Sequence, residues 1–476
     1  MATGLCISSL QMSLIEVKPT SARTSCGPKL RLVAVGLTAV AAALVVLSPR
    51  GASPLGALLG EQAAEHAFLS GSFPFLGASA PQCEYLPSRM KAVYMAGASP
   101  NGISQGDWNF DYTESAPVPC AGEGEVTVMV NVSSVNPVEW NGAARGGGEF
   151  MGGNGELGED VGGIVVAVGP GCDVAKDIGP TAYWSKYGYT RPAVQLGDEI
   201  WGNTAAEWTI PVAGQAGFAQ FSNVYCDRVG IRSRAQAKAS AVPITDLGTM
   251  PLAAGTSYVL LYNAGAPWEP EDDVTVVIAS GSGGTGTMAI QEALALGASR
   301  VITSSSPNHA DKLYALGASL VIDYHNYDTM FDALPDDSVD VVWDNYGYGF
   351  DAAARVIRPG GKYITTSLTS GGAWQQAKRQ QSDTTARLAA FIDMSTKPGV
   401  ERLFTGGWGS PGAPYTDLYR MVEAGQLRPV VSTRYTLRDA VQLYTEAANG
   451  HSLGKLALDV PAPDWDPRVI PGWPAD

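Results

Sequence analysis

Val274–Ala279 reads VTVVIA and runs through Ser280 into Gly281-Ser282-Gly283-Gly284-Thr285-Gly286, after which Thr287–Leu296 reads TMAIQEALAL. The apolar hexapeptide is continuous rather than alternating, the pattern of a strand buried on both faces. The segment after the glycines has helical spacing and stops at Gly297. A glycine turn between such a strand and such a helix lets the backbone bend sharply and approach a pyrophosphate. The phosphate would then rest on the N–H groups that open the helix. In a chain with 56 glycines the GxGxxG spelling means little alone; the flanking strand and helix give it weight.

Downstream the same rhythm repeats. Arg300–Thr303 reads as a strand, Ala310–Leu316 as a helix ending at Gly317, and Leu320–Asp323, Val339–Trp343 and Lys362–Thr366 as further strands. Repeated strand–helix–strand units imply an α/β, Rossmann-type doubly wound parallel sheet. A site that takes NAD usually carries Asp or Glu at the end of the second strand, about 20 residues past the loop, to bond the ribose hydroxyl. Here that place reads Thr303-Ser304-Ser305-Ser306. Small hydroxyls leave room for a 2′-phosphate and add no charge to repel it, which points to NADPH rather than NADH. His309 and Lys312 are the nearest cations. Asn345 and Tyr346 follow the Val339–Asp344 strand, at the carboxyl end of the sheet where ligands bind.

Upstream, Met90–Met95, Glu125–Val135, Gly162–Val168, Asp198–Gly202 and Gly217–Asn223 are short, glycine-punctuated strand patterns. They suggest a small β-barrel-type domain. Cys172–Gln195, with Tyr183, Trp184, Tyr187 and Tyr189, reads as a long inserted loop whose aromatics pack on the surface. The tail suggests helices near Leu418–Ala424 and Leu437–Asn449 and a strand near Lys455–Val460.

Residues 1–89 read as a leader. An acid-poor, Ser/Thr-bearing start precedes the apolar run Leu32–Leu47, and a Gly/Ala/Ser/Pro-rich linker follows. As a helix that run spans about 24 Å, short of the roughly 30 Å hydrocarbon core, so a signal-type segment and a short membrane anchor both fit. The arrangement favours an organelle address, with a plastid first. A net charge of −15 gives no general attraction to nucleic acid or anionic lipid. The six cysteines (Cys6, Cys26, Cys83, Cys120, Cys172 and Cys226) show no CxxC spacing. They are expected to be isolated apolar side chains or surface thiols. The four histidines (His66, His309, His325 and His451) leave Met90–Met250 without one, and no catalytic zinc spacing appears.

From Met90 to Val460 the chain resembles the medium-chain dehydrogenase/reductase superfamily, in its zinc-free quinone-oxidoreductase-like branch. The resemblance rests on ordered blocks: MKAVYM, GEVTVMVNVSSVNPVEW (Gly124–Trp140), LGEDVGGIVVAVG (Leu157–Gly169), GDEIWG, MPLAAGTSY (Met250–Tyr258), the glycine loop, LGASLVIDY (Leu316–Tyr324), RPGGKYI and HSLGKLALDV. Where zinc-dependent relatives carry Gly-His-Glu, this chain has Gly158-Glu159-Asp160. Where zinc alcohol dehydrogenases place a Cys, it has Asn136. The resemblance implies a GroES-like catalytic domain from 90–250 plus 425–476, a nucleotide-binding domain over 251–424, and a homodimer. It places Asn136 near nicotinamide and substrate and Thr256 near the cofactor. Further departures are Thr285 where Val is usual and His309 near where a Lys often holds the 2′-phosphate. The expected chemistry is hydride transfer from NADPH to an enone or quinone, with Asn136 and Tyr346 as candidate donors to the carbonyl oxygen and water as the proton source. Alternatives are a 2-enoyl thioester reductase, a membrane-attached nucleotide-binding scaffold and, more distantly, a zinc alcohol dehydrogenase.

Overall fold

The computed structural model of the protein describes residues 80–95, 110–137, 139, 157–178, 189–204, 217–365, 399–404, 413–450 and 452–475. These lie in one compact unit. Residues 1–79 of the leader with its 32–47 run, including Cys6, Cys26 and His66, lie outside the described residues, as do His451 and the 179–188 tip of the inserted loop. Among the described residues no helix is long and apolar enough to cross a membrane.

Strands β10 (Thr275–Ile278), β11 (Arg300–Ser305), β12 (Leu320–Asp323), β13 (Val339–Asp344), β14 (Ile357–Thr365) and β15 (Glu401–Phe404) form one six-stranded sheet in the order β12-β11-β10-β13-β14-β15. Every neighbouring pair is parallel. Renumbered from β10, the order is 3-2-1-4-5-6, the doubly wound Rossmann arrangement. The continuous apolar run of β10 has a direct consequence. Val276 and Ile278 enter a core with the Pro251–Asn263, Gly284–Ala295 and Ala413–Glu423 helices, while Val277 and Ala279 enter a second core with Phe331, Phe350 and Tyr363. Both faces of the strand are therefore covered.

The other sheet has the order β16-β17-β3-β4-β7-β9, with β8 (Phe221–Tyr225) also paired to β3. Its members β3 (Glu125–Ser134), β4 (Asp160–Val168), β7 (Glu199–Asn203) and β9 (Val229–Arg232) pair antiparallel. The late strands β16 (Val431–Thr436) and β17 (Lys455–Asp459) join through an antiparallel β17–β3 pairing. That pairing brings Lys455 next to residues more than 300 positions away in sequence.

Several elements differ from expectation. The helix after the glycine loop starts at Gly284, inside the glycine run, because those residues already adopt helical geometry. The strand expected at Gly217–Asn223 is displaced to Phe221–Tyr225. An unexpected strand, β2 (Phe110–Pro117), pairs with β1 (Arg89–Met95); its exposed or half-exposed side chains, all but Ala116, leave little apolar alternation to read. The inserted loop carries a short hairpin of β5 (Lys176–Ile178) and β6 (Tyr189–Arg191).

The cysteine expectation is corrected for four of the six residues. Cys83 is bonded to Cys120 and Cys172 to Cys226. Separations of 37 and 54 residues leave no local spacing signature; the partners meet only when the sheet forms. Cys172 and Cys226 are buried at the base of the inserted loop. The same base is tied by the buried Arg191, which donates to Asp227 Oδ1 at 2.6 Å and to the carbonyls of Gly171 and Cys172 at 2.7 and 3.0 Å. Replacing Cys172 and Cys226 together by Ala is expected to lower stability by about 4 kcal/mol, the loop-closure value for a loop of this length. Urea unfolding without reductant measures the change, and an unchanged midpoint would show that this closure does not stabilise the fold.

Candidate nucleotide and acid–lysine site

The glycine loop leaves β10 at the switch point, where strand order reverses between β10 and β13. Ser280 takes a positive φ of 59°, and its N–H donates to Ser304 Oγ at 3.1 Å. Gly281 N donates to the Ser304 carbonyl at 2.9 Å. A Cβ on Gly281 would lie 2.0 Å from Thr303 Oγ1, and one on Gly286 would lie 2.3 Å from the Ser280 carbonyl oxygen. Those glycines are needed for packing of the loop against β11 and against itself. At Gly283 the nearest atom to a Cβ would be the Ser280 carbonyl oxygen at 3.5 Å, an ordinary van der Waals contact, so a side chain there meets no clash. No side chain caps the helix that begins at Gly284, which leaves its opening N–H groups available to an anion.

Around this loop the expected residues take distinct places. Asn345 Nδ2 donates to Thr285 Oγ1 at 2.8 Å, joining the end of β13 to the loop across the switch point. Tyr346 is exposed beside Tyr348, with ring centroids 4.6 Å apart. Asp344 orders this turn by accepting from the N–H groups of Tyr346, Gly347 and Gly349 and from the Tyr363 hydroxyl. Ser304 is buried and its hydroxyl supports the loop. Ser305 Oγ and Thr256 Oγ1 are buried and have no hydrogen-bond partner among the described residues. Lys312 lies exposed on the Ala310–Ala315 helix. An uncapped helix start and two hydroxyls without partners among the described residues fit a dinucleotide.

Beneath the loop lies a charged cluster that the sequence reading passed over. Gly454 N donates to the Ser282 carbonyl at 2.7 Å, and a Cβ on Gly284 would meet Lys455 Cδ at 2.8 Å. Lys455 runs from that contact into the interior and donates to Asn136 Oδ1 at 2.5 Å, the Val135 carbonyl at 3.1 Å and Asp160 Oδ2 at 3.2 Å. Asp160 also accepts from Ser134 Oγ, Asn136 Nδ2 and Leu252 N, the last at 2.8 Å and one turn before Thr256. Glu139 accepts from Asn136 N and Nδ2, from the N–H groups of Gly158 and Glu159, and from the Tyr444 hydroxyl. Asn136 therefore has both amide hydrogens committed to carboxylates and its oxygen to the ammonium. It positions the cluster, and its amide is not free to serve as the carbonyl donor first expected.

Three carboxyl groups share this volume with one ammonium. Burial and the Asp160 charge push Glu139 up to about 7, against the pull of Lys455 and the Asn136 donors. Burial, then the charges of Glu139 and Asp160, push Glu159 well above the carboxylate range, opposed by the neighbouring Asn203 and by Lys455. Asn136 and Glu159-Asp160 stood out in the family blocks, and Lys455 opens the strand segment KLALDV ahead of the apolar Leu456–Leu458, but nothing in the sequence joins them.

Among the described residues the donor set offers no ligand group for a catalytic zinc. Asp160 is saturated by its four donors, and the described cysteines are in disulfides. Among the described residues no group of three or more His, Cys, Asp or Glu could hold a metal ion.

Residues 316–458 match the family described as zinc-binding dehydrogenase. The chain is 25% identical over 348 residues to the 2-methylene-furan-3-one reductase of Solanum lycopersicum, covering 72% of this chain and 73% of that one. It is also 25% identical over 349 residues to the NADPH-dependent alkenal/one oxidoreductase, chloroplastic, of Arabidopsis thaliana, covering 72% and 73%. The quinone oxidoreductase structure from Coxiella burnetii superposes with a TM-score of 0.55 at 21% identity, covering 78% of this chain and all of that one (100%). With its 3-2-1-4-5-6 nucleotide sheet and a mainly antiparallel sheet completed by the chain's own tail, the protein resembles the medium-chain dehydrogenase/reductase superfamily in fold and in sequence.

Proposed function

We propose that the protein is an NADPH-dependent oxidoreductase that reduces an α,β-unsaturated carbonyl compound or a quinone without a metal. The observation that carries this reading is the acid-free end of β11, where Thr303, Ser304 and Ser305 lie against the glycine loop. A carboxylate there would bond a free ribose hydroxyl and repel a 2′-phosphate. The likeness to reductases of a furanone and of alkenals supports the substrate class.

Bound at this loop, NADPH supplies a hydride for an electron-poor carbon. The uncapped start of the Gly284–Ala295 helix would hold the pyrophosphate, with Thr256 and Ser305 offering unpartnered hydroxyls. Asn345 fixes Thr285 and so the shape of the loop. Tyr346 would meet substrate, a reading supported by its exposure at the same end of the sheet. The acid-poor leader, together with the chloroplastic relative, supports an organelle address.

The test is to purify the full chain and follow oxidation of NADPH and NADH with enones, quinones and enoyl thioesters. Turnover of an enone or quinone with tighter binding of NADPH than of NADH is expected. Binding of neither nucleotide, together with no turnover, would overturn the assignment; preference for NADH would overturn its cofactor half.

A further inference from the structure

We propose, resting on the nucleotide-binding reading above, that Thr285 binds the NADPH pyrophosphate by donating its hydroxyl proton, and that Asn345 is the positioning residue that keeps the proton free for this use. Thr285 is the second residue of the Gly284–Ala295 helix. The amide of Thr287 is the first in this turn to make a helical bond, to the Gly283 carbonyl at 2.9 Å. Among the described residues the N–H groups of Gly284, Thr285 and Gly286 donate to no backbone carbonyl, and no side chain caps them. Three such donors in succession form the end of a helix on which an anion rests. Helix side chains lean toward the N-terminus, so the Thr285 hydroxyl lies on the side of these three groups.

A hydroxyl has one hydrogen to give and two lone pairs to receive. Asn345 Nδ2 donates to Thr285 Oγ1 at 2.8 Å, which occupies one lone pair and leaves the hydrogen to be given elsewhere. Thr285 is half-buried, and among the described residues no carbonyl or carboxylate takes that hydrogen. The Asn345 side of the contact is held firmly. Asn345 N donates to the Trp343 carbonyl at 3.2 Å, and Asp344 orders the turn that follows by accepting from the N–H groups of Tyr346, Gly347 and Gly349. The carboxamide thus reaches Thr285 from β13, across the switch point, and the acceptor left for the Thr285 proton is an anion at the helix start.

Recognition of the nucleotide then divides between two places. The Thr303–Ser305 end of β11 meets the ribose 2′-position, where NADPH and NADH differ. Thr285 meets the pyrophosphate, which the two share. Valine in place of Thr285 keeps the shape of the side chain, removes the donor and leaves the Asn345 amide without its acceptor.

The experiment titrates NADPH and NADH into the full-length wild type, Thr285→Val, Thr285→Ser, Asn345→Ala and the Thr285→Val/Asn345→Ala double variant, and follows turnover of NADPH with an enone. Thr285→Val should raise both dissociation constants by about tenfold or more and to the same extent, as for a lost hydrogen bond to a charged group. Its KM for NADPH should rise alongside, with a much smaller change in kcat at saturation. Thr285→Ser keeps the hydroxyl and should bind nearly as the wild type does. Asn345→Ala should bind NADPH more weakly than the wild type, yet cost nothing further in the Thr285→Val background. Wild-type affinity in Thr285→Val, or a Thr285→Ser as weak as Thr285→Val, overturns the role of the hydroxyl. A loss confined to NADPH puts the hydroxyl at the 2′-phosphate and overturns the pyrophosphate assignment. A further loss on adding Asn345→Ala to Thr285→Val overturns positioning by Asn345. A wild type that binds neither nucleotide overturns the nucleotide reading and this one together, whereas a wild type and a Thr285→Val that bind NADPH equally well overturn this one alone.

Discussion

Lys455→Met is expected to destabilise the protein by about 3–5 kcal/mol, the cost of removing one partner from a buried ion pair. Methionine retains much of the lysine's volume, so packing against Gly284 changes little. The charge changes completely. Asp160, fully buried, keeps its bonds from Ser134, Asn136 and Leu252 but loses the ammonium. Asn136 Oδ1 loses its donor at 2.5 Å and is left facing buried surroundings. With the cation gone, three carboxyl groups must share the volume, and their repulsion adds to the desolvation cost.

The partner change separates charge from packing. Asp160→Asn in the Lys455→Met background removes the orphaned carboxylate, so the double variant should be more stable than the sum of the two single losses predicts. Urea denaturation of the four proteins measures this. Additive losses would show that the pair is not coupled and that Lys455 contributes by packing alone. Because Lys455 also abuts the glycine loop, Lys455→Met should weaken NADPH binding, whereas the distant Cys172–Cys226 bond should leave it unaffected.

The nucleotide sheet was legible in the sequence because its signals are local. A continuous apolar strand, a glycine turn and a helix stopped by Gly297 lie within about two dozen residues, and each announces itself by period or by punctuation. The Asn345–Thr285 contact was foreseeable only as a region, since the carboxyl end of a parallel sheet is where ligands gather. Lys455, Asp160 and Glu139 were not legible as a site. They come from β17, β4 and the turn after β3, and they meet through a strand pairing that no local pattern encodes. The same reason hid both disulfides, whose cysteines lie on separate elements. Asn136 illustrates a different limit. Its position in the family block was plain, but the direction of its amide is set by Lys455, Asp160 and Glu139 together. Residue type alone could not distinguish a free donor from a committed one.

Substitutions at Gly286 and Gly283 are expected to part company, and the difference tests how the loop works. On Gly286 a Cβ would lie 2.3 Å from the Ser280 carbonyl oxygen and 2.7 Å from Gly281 Cα. Both obstacles are backbone, so no side chain can rotate away. Gly286→Ala must therefore push the Ser280–Gly281 turn off β11, where Ser280 N and Gly281 N bond to Ser304. A loss of about 1–3 kcal/mol in stability is expected, as for overpacking elsewhere in a dense interior. NADPH affinity should fall at least about tenfold, or 1.4 kcal/mol, because the helix N–H groups move with the turn. Gly283→Ala has no such conflict: its φ is −70°, which any residue adopts, and its nearest neighbour would be 3.5 Å away. Stability should stay at the wild-type value. Its new methyl group sits at the residue that precedes the helix, so NADPH binding should still weaken if a phosphate approaches the backbone there. Thermal unfolding and nucleotide titration of the two variants decide the matter. Wild-type NADPH affinity in Gly283→Ala would remove the phosphate from this loop, and wild-type stability in Gly286→Ala would show that the turn is not held against β11.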